Sequence, residues 1–205
     1  MAGPAIKGRI LAAAFEDVQK LVTTGAVKRV ELSRWLHPED LEMIERPLAP
    51  ADWYDIRAYA RVCELLRDVE GDGRDEYLHD RGVRTGERLL EGGLYAQLEY
   101  VSRMKIGQLR EPIDRYQAFG RDLKLLVTIS SSILNFSKWT SRPDEDYELR
   151  YRIDVSEASA FPEVLGWTSL GFVNCMARAG GGGEKVWRWE RLDAENIAFR
   201  MTRPL

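Results

Sequence analysis

The chain is poor in the residues that most often carry chemistry. Its 205 residues include two histidines, His37 and His79, and two cysteines, Cys63 and Cys175. Two cysteines without metal-type spacing exclude a zinc cluster or a disulfide scaffold, and they fit a reducing, cytoplasmic setting. Positive charge is not in excess: the formal net charge is −3, which argues against a dedicated nucleic-acid binder. Long apolar runs are missing as well. Ile10 to Phe15 is broken at once by Glu16 and Asp17, so no stretch reads as a membrane span or an export signal. Nor is there a Pro/Ser-rich linker. Residues 1–205 therefore read as one domain, mainly helical over 1–131 and β-β-α-β-β over 132–205.

What the chain does have is apolar bulk, 44% hydrophobic, beside 31% charged residues of both signs. That balance suits a sizeable core under a solvated surface. A first helix runs from about Ile6 to Val22, with Ile6, Ile10, Ala14, Val18 and Leu21 at helical spacing. A shorter one covers Lys28 to Leu36. His37-Pro38 and Arg46-Pro47 to Pro50 then predict an irregular connection. Asp52 is the expected N-cap of a third helix carrying Trp53, Ile56, Ala60, Cys63 and either Leu66 or Arg67 along one stripe.

The fourth helix, about Arg74 to Leu90, aligns Leu78, Gly82, Gly86 and Leu89 on one face. Each interior glycine costs about 1 kcal/mol of helix propensity against alanine, so two of them four apart imply a close backbone approach. The approach is made either inside the monomer or as a homodimer contact. Leu94 to Met104 reads as another short helix. Pro112 opens a long one to about Ser130, with Tyr116, Phe119, Leu123, Leu126 and Val127 inward. Thr128 to Leu134 is open between helix and strand.

Alternation at period two marks four strands: Leu134 to Trp139, Tyr147 to Ile153, Val186 to Arg191 and Ile197 to Thr202. In the first, Trp139 falls out of phase with Leu134 and Phe136. In the second, Tyr147, Leu149, Tyr151 and Ile153 share one face. Between the two pairs lies Phe161 to Ala179, apolar on almost every side, as a helix is when covered on more than one face. The predicted fold is α+β: an N-terminal helical layer packed on an antiparallel four-stranded sheet.

No catalytic constellation appears. Glu76 and His79 have the i, i+3 spacing of a metal half-site, but the second half-site is missing. With Asp80 they read as a solvated helix face. Gly180 to Gly183 follows a helix end instead of preceding a helix start, so it is a connector and not a phosphate loop. Both cysteines fall in apolar stripes, where a thiol is a small buried hydrophobe. An enzyme gains no positive support.

Short packing-related motifs carry a resemblance: Arg46-Pro47-Leu48, Asp52-Trp53-Tyr54, Gly82-x-x-x-Gly86, Ile133 to Phe136 and the closing hairpin from Trp187 to Phe199. With the element order, they make the chain similar to an uncharacterised myxobacterial family. More broadly, it resembles the superfamily fold of vinyl-reductase-type domains, TRAPP subunits and heme nitric-oxide-binding domains. The resemblance implies small-molecule sensing or protein assembly. Its heme-binding members use a proximal histidine and a Tyr-x-Ser-x-Arg motif. This chain lacks the motif, and neither histidine matches, so no cofactor is expected.

Two functions follow as expectations. One is a non-catalytic regulatory or sensory domain that holds a small hydrophobic ligand between helices and sheet, lined by Cys63, Leu66, Leu126, Phe136, Leu165 and Phe172. The other is a scaffold subunit, dimeric or bound to a protein partner through Leu78, Gly82, Gly86 and Leu89.

Overall fold

The structure is a computed structural model, and it describes residues 3–91, 109, 111–179 and 183–204. The predicted helix at Leu94 to Met104 and most of the glycine connector lie outside the described residues. No helix among the described residues is long and apolar enough to cross a membrane.

The chain starts in a strand. Ala5–Lys7 (β1) pairs antiparallel with Trp53–Asp55 (β2), and Ile6 also bridges to Leu134. The Ala5 amide donates to Asn135 Oδ1 at 2.6 Å. The first turn predicted as helix is thus a β staple, which ties the N-terminus to the joint between helical layer and sheet. Helix α1 (Gly8–Thr24) buries Leu11, Ala14, Phe15, Val18 and Leu21 and stops at Gly25, whose φ of 77° is the left-handed conformation that a helix end favours.

A 3-10 turn, Arg29–Arg34, leads to a short helix α2 (Pro38–Ile44) where sequence reasoning expects irregular chain. Pro38 occupies the first helical position, which needs no amide hydrogen. Asp40 then accepts from the His37 amide at 2.9 Å and from Arg61 at 2.6 and 2.8 Å. Helix α3 (Ile56–Glu70) is capped by Asp55, not Asp52: the Asp55 side chain accepts from the Arg57 amide at 2.8 Å. Asp52 is left in the turn that precedes β2, where its carbonyl accepts from the Gly8 amide at 2.9 Å.

Helix α4 (Glu76–Glu91) runs against α6 (Glu163–Ala179), and glycines set their separation. A Cβ on Gly82 would overlap the carbonyl oxygen of Thr168, and one on Gly171 would overlap the carbonyl oxygen of His79. On another side of α6, a Cβ on Gly166 would sit 2.7 Å from the Trp189 ring of the sheet. Helix α6 is therefore held between α4 and the sheet, as its all-round apolar sequence predicts.

Helix α5 (Pro112–Ile133) resolves the ambiguous stretch as helix; Thr128, Ser130 and Ser131 bond back to carbonyls four residues earlier at 2.9–3.1 Å. Strands β3 (Lys138–Pro143), β4 (Tyr151–Ser156), β5 (Trp187–Arg191) and β6 (Ile197–Met201) form one antiparallel sheet in the order β3-β4-β6-β5. Leu134 and Phe136 precede β3 instead of belonging to it. Trp139 is in phase with the core, stacked on Phe199 at 5.7 Å. The second strand starts four residues later than the alternation suggests. Leu149 has a φ of 55° in the hairpin loop, and Tyr147 is exposed there under the Arg150 guanidinium. The core face of β4 is Tyr151, Ile153 and Val155.

The outer face carries a row of arginines in register: Arg142 opposite Arg152, Arg152 opposite Arg200, Arg200 opposite Arg188. Like charges directly opposite one another are destabilising, and carboxylates interleave them. Asp154 takes Arg142 and Arg152, while Asp144 and Asp146 take Arg200.

Two outcomes are expected. Gly82→Ala should cost about 2–3 kcal/mol in urea unfolding, because the methyl has only backbone to displace; an unchanged midpoint would contradict the contact. The second concerns acid. Burial alone raises the Asp144 carboxyl, but the Arg200 guanidinium and the Asp146 amide outweigh it and hold the group below the ordinary 3.8. Its contribution to stability is complete above that value and is lost as pH falls below it and through the lower value of the folded chain. Acid unfolding followed by circular dichroism should be less steep below about pH 4 in Arg200→Met than in the parent chain.

Candidate functional site

The six residues expected to line a ligand site come from three helices and one connector. Cys63 and Leu66 lie on α3, Leu126 on α5, Phe136 before β3, and Leu165 and Phe172 on α6. Cys63, Leu66, Leu126 and Leu165 are buried members of one contiguous apolar cluster, and Phe136 and Phe172 pack against it. Phe136 meets Phe161 edge-on with ring centroids 6.4 Å apart. Four of the six thus belong to the general apolar core and two pack against it; Phe172 lies beside Gly82 and Gly86 of α4.

Of the four residues expected at a dimer face, three are packed inside the chain. Leu78 is fully buried, and Gly82 and Gly86 face α6 of the same chain; a Cβ on Gly86 would come within 2.9 Å of Cys175 Sγ. The side chain of Leu89 is outside the described residues. The close approach that two glycines demand is made inside the monomer, which corrects the reading of Gly82 and Gly86 as an intermolecular surface.

Beside the apolar cluster is a polar network that sequence reasoning missed. Arg81, 8% exposed, sits one residue before Gly82 and pairs with Asp17 of α1. Tyr59 Oη donates to Thr168 Oγ1 at 3.5 Å. Burial pushes the Tyr59 hydroxyl and the Cys63 thiol up, and the Arg81 guanidinium opposes both without prevailing. A buried thiol held protonated is no nucleophile. The network orients α1, α3, α4 and α6 around a fixed cation; it does not assemble a nucleophile and base.

The two histidines differ in setting. His37 is exposed at the start of α2. His79 Nε2 lies 3.3 Å from the Asn174 amide nitrogen, and Nδ1 lies 3.1 Å from Asp80. A tautomer protonated on Nδ1 satisfies both contacts. Asn174 in turn accepts from the Trp187 amide at 2.9 Å, linking α4, α6 and β5. Glu76 and Asp80 are exposed, and the described residues contain no group of three or more His, Cys, Asp or Glu that could hold a metal ion.

A cavity of about 380 Å³ opens between α1, the end of α3 and α4, lined by Asp17, Lys20, Glu70, Tyr77, Arg84 and Arg88. None of the expected ligand residues lines it.

An N-terminal helical layer, a stapling β ribbon and a β-β-α-β-β half define an α+β fold, and known structures give it a more particular form. No protein-family model matches the chain, and no curated protein does. Solved H-NOX (heme nitric-oxide-binding) structures do. The Fe(II) unliganded H-NOX protein from K. algicida superposes with a TM-score of 0.58 at 11% identity, covering 96% of this chain and 95% of its own. A single-site mutant of T. tengcongensis H-NOX gives 0.55 at 9% identity, covering 98% of this chain and 100% of its own. A Cs H-NOX variant carrying an unnatural amino acid gives 0.55 at 10% identity, with 98% of each chain covered. The chain has the H-NOX fold.

Histidine-ligated heme does not fit these residues. The sequence has two histidines in all. One is exposed at a helix start, and the other spends both ring nitrogens on Asn174 and Asp80. Hemin titrated into the full chain is expected to give the absorption spectrum of free or non-specifically bound hemin, unchanged by His37→Ala and His79→Ala. A sharp histidine-ligated Soret band that either substitution removes would refute this.

Proposed function

We propose that the chain is a non-catalytic sensory or regulatory domain that binds a small apolar ligand between the helical layer and the sheet. The carrying observation is the H-NOX fold over 96% of the chain combined with one histidine exposed at the surface and the other paired with Asn174 and Asp80. Proteins of this fold are described with a heme, so the scaffold is one on which a ligand can be held. In this chain the corresponding chemistry is apolar and aromatic. Cys63, Leu66, Leu126, Phe136, Leu165 and Phe172 would line the site, supplying dispersion contacts and no ionic group. The thiol of Cys63 would act there as a small apolar surface.

Helix α6 would read occupancy. It contributes Leu165 and Phe172 to the cluster, touches α4 through Gly171 and touches the sheet through Gly166. A ligand that shifts α6 by a fraction of an ångström must also move one of these contacts, because neither glycine seam has slack.

Native mass spectrometry of the purified chain, followed by organic extraction, tests the reading. A stoichiometric neutral compound that co-purifies, and is reduced or lost in Leu66→Trp while the helical circular dichroism persists, is the expected result. A chain that carries no compound and gains no thermal stability from a panel of short-chain fatty alcohols and acids would refute it.

A further inference from the structure

The polar cavity beside α4 has a charge arrangement that the packing of the chain leaves incomplete. Its two carboxylates are already satisfied. Asp17 accepts from Arg81 and, at 3.0 Å, from Lys20; Glu70 accepts from the Tyr77 hydroxyl. Its arginines are not. Arg84 and Arg88 stand one helical turn apart on the exposed side of α4, and among the described residues no carboxylate lies within ion-pair distance of either. Like charges at that spacing oppose helix stability instead of supporting it. Arg84 is held over the Tyr77 ring, its guanidinium carbon 5.5 Å from the centroid, which limits where its fork can point. Lys20 faces them from α1. This basic cluster stands out against a chain whose formal net charge is −3.

We infer that this cavity is a binding site for a small phosphorylated molecule, held by Arg84, Arg88 and Lys20. A volume of about 380 Å³ falls within the range of about 300–1,000 Å³ typical of small-molecule sites. The guanidinium fork matches phosphate oxygens in bidentate geometry, and Lys20 adds a point charge. The bound dianion would remove the repulsion between Arg84 and Arg88 and supply the acceptors they lack. Aromatic recognition plays little part, because Arg84 already covers the Tyr77 face. Behind the site, Asp17 connects Lys20 to the buried Arg81, so an anion that draws Lys20 away loads the network around Tyr59 and Cys63.

The test uses the full chain and inorganic pyrophosphate at constant ionic strength. Isothermal titration should show saturable one-to-one binding. The double variant R84A/R88A should bind ~tenfold or more weakly, while its melting temperature without ligand is no lower than the parent's, since both side chains are exposed and their mutual repulsion is gone. R84K/R88K should recover part of the affinity. No saturable heat, equal binding by R84A/R88A, or the same response to sodium chloride at matched ionic strength would each overturn the site. Sedimentation with phosphatidic-acid vesicles that pyrophosphate fails to reverse would instead place the phosphate on a lipid surface and overturn the small-molecule assignment. The apolar ligand proposed above is scored separately, by extraction, so failure of one result leaves the other standing.

Discussion

The structure depends on how closely two helix backbones approach. Helices α4 and α6 meet where Gly82 lies on Thr168 and Gly171 lies on His79, leaving no room for a side chain on either. Three other features are positioned by that contact. Arg81, next to Gly82, is carried into the interior toward Asp17. His79 is brought to Asn174, which itself holds the first amide of β5. The outward side of α4 is turned toward α1, and the basic cavity forms between them. A glycine in a helix interior is locally unfavourable, and here the loss is offset by two backbones packing at a distance that no larger residue permits.

A second constraint acts at the other end of the helical layer. The β1–β2 ribbon and the Asn135 contacts join the start of the chain to the link between α5 and β3. Tyr151 reinforces the joint from the sheet. It stacks on Tyr116 at 4.3 Å, and its hydroxyl fills the space that a side chain at Gly120 would take. The helical layer and the sheet are thus closed at two places, with the apolar cluster between them.

Much of this was legible in the residues. The β-β-α-β-β order shows because strand and helix periods differ and because Phe161 to Ala179 has no wet side. The glycine pair on α4 announces a close approach, though not with what. Other features leave no local trace. A three-residue ribbon is too short to show a period, so β1 and β2 were hidden inside the first turns of two predicted helices. Tyr147 and Leu149 continue an alternation that the chain does not use, because Leu149 turns left-handed. Arg81 resembles a surface residue until Asp17, 64 positions away, is placed beside it. The cavity draws on three helices, and no window along the chain contains its lining. The six apolar candidates could be named because burial and periodicity are the strongest signals a sequence carries; ligand chemistry is not among them.

The arginine row also bears on how the molecule behaves among copies of itself. In the order β3-β4-β6-β5 the two outer ribbons are β3 and β5, each a potential template for strand addition. One carries Lys138 and Arg142 and finishes on Pro143; the other carries Arg188, Glu190 and Arg191. A neighbouring chain trying to extend the sheet would bring its own arginines alongside these and would meet a proline with no hydrogen to donate. Charge and proline at sheet margins discourage such growth.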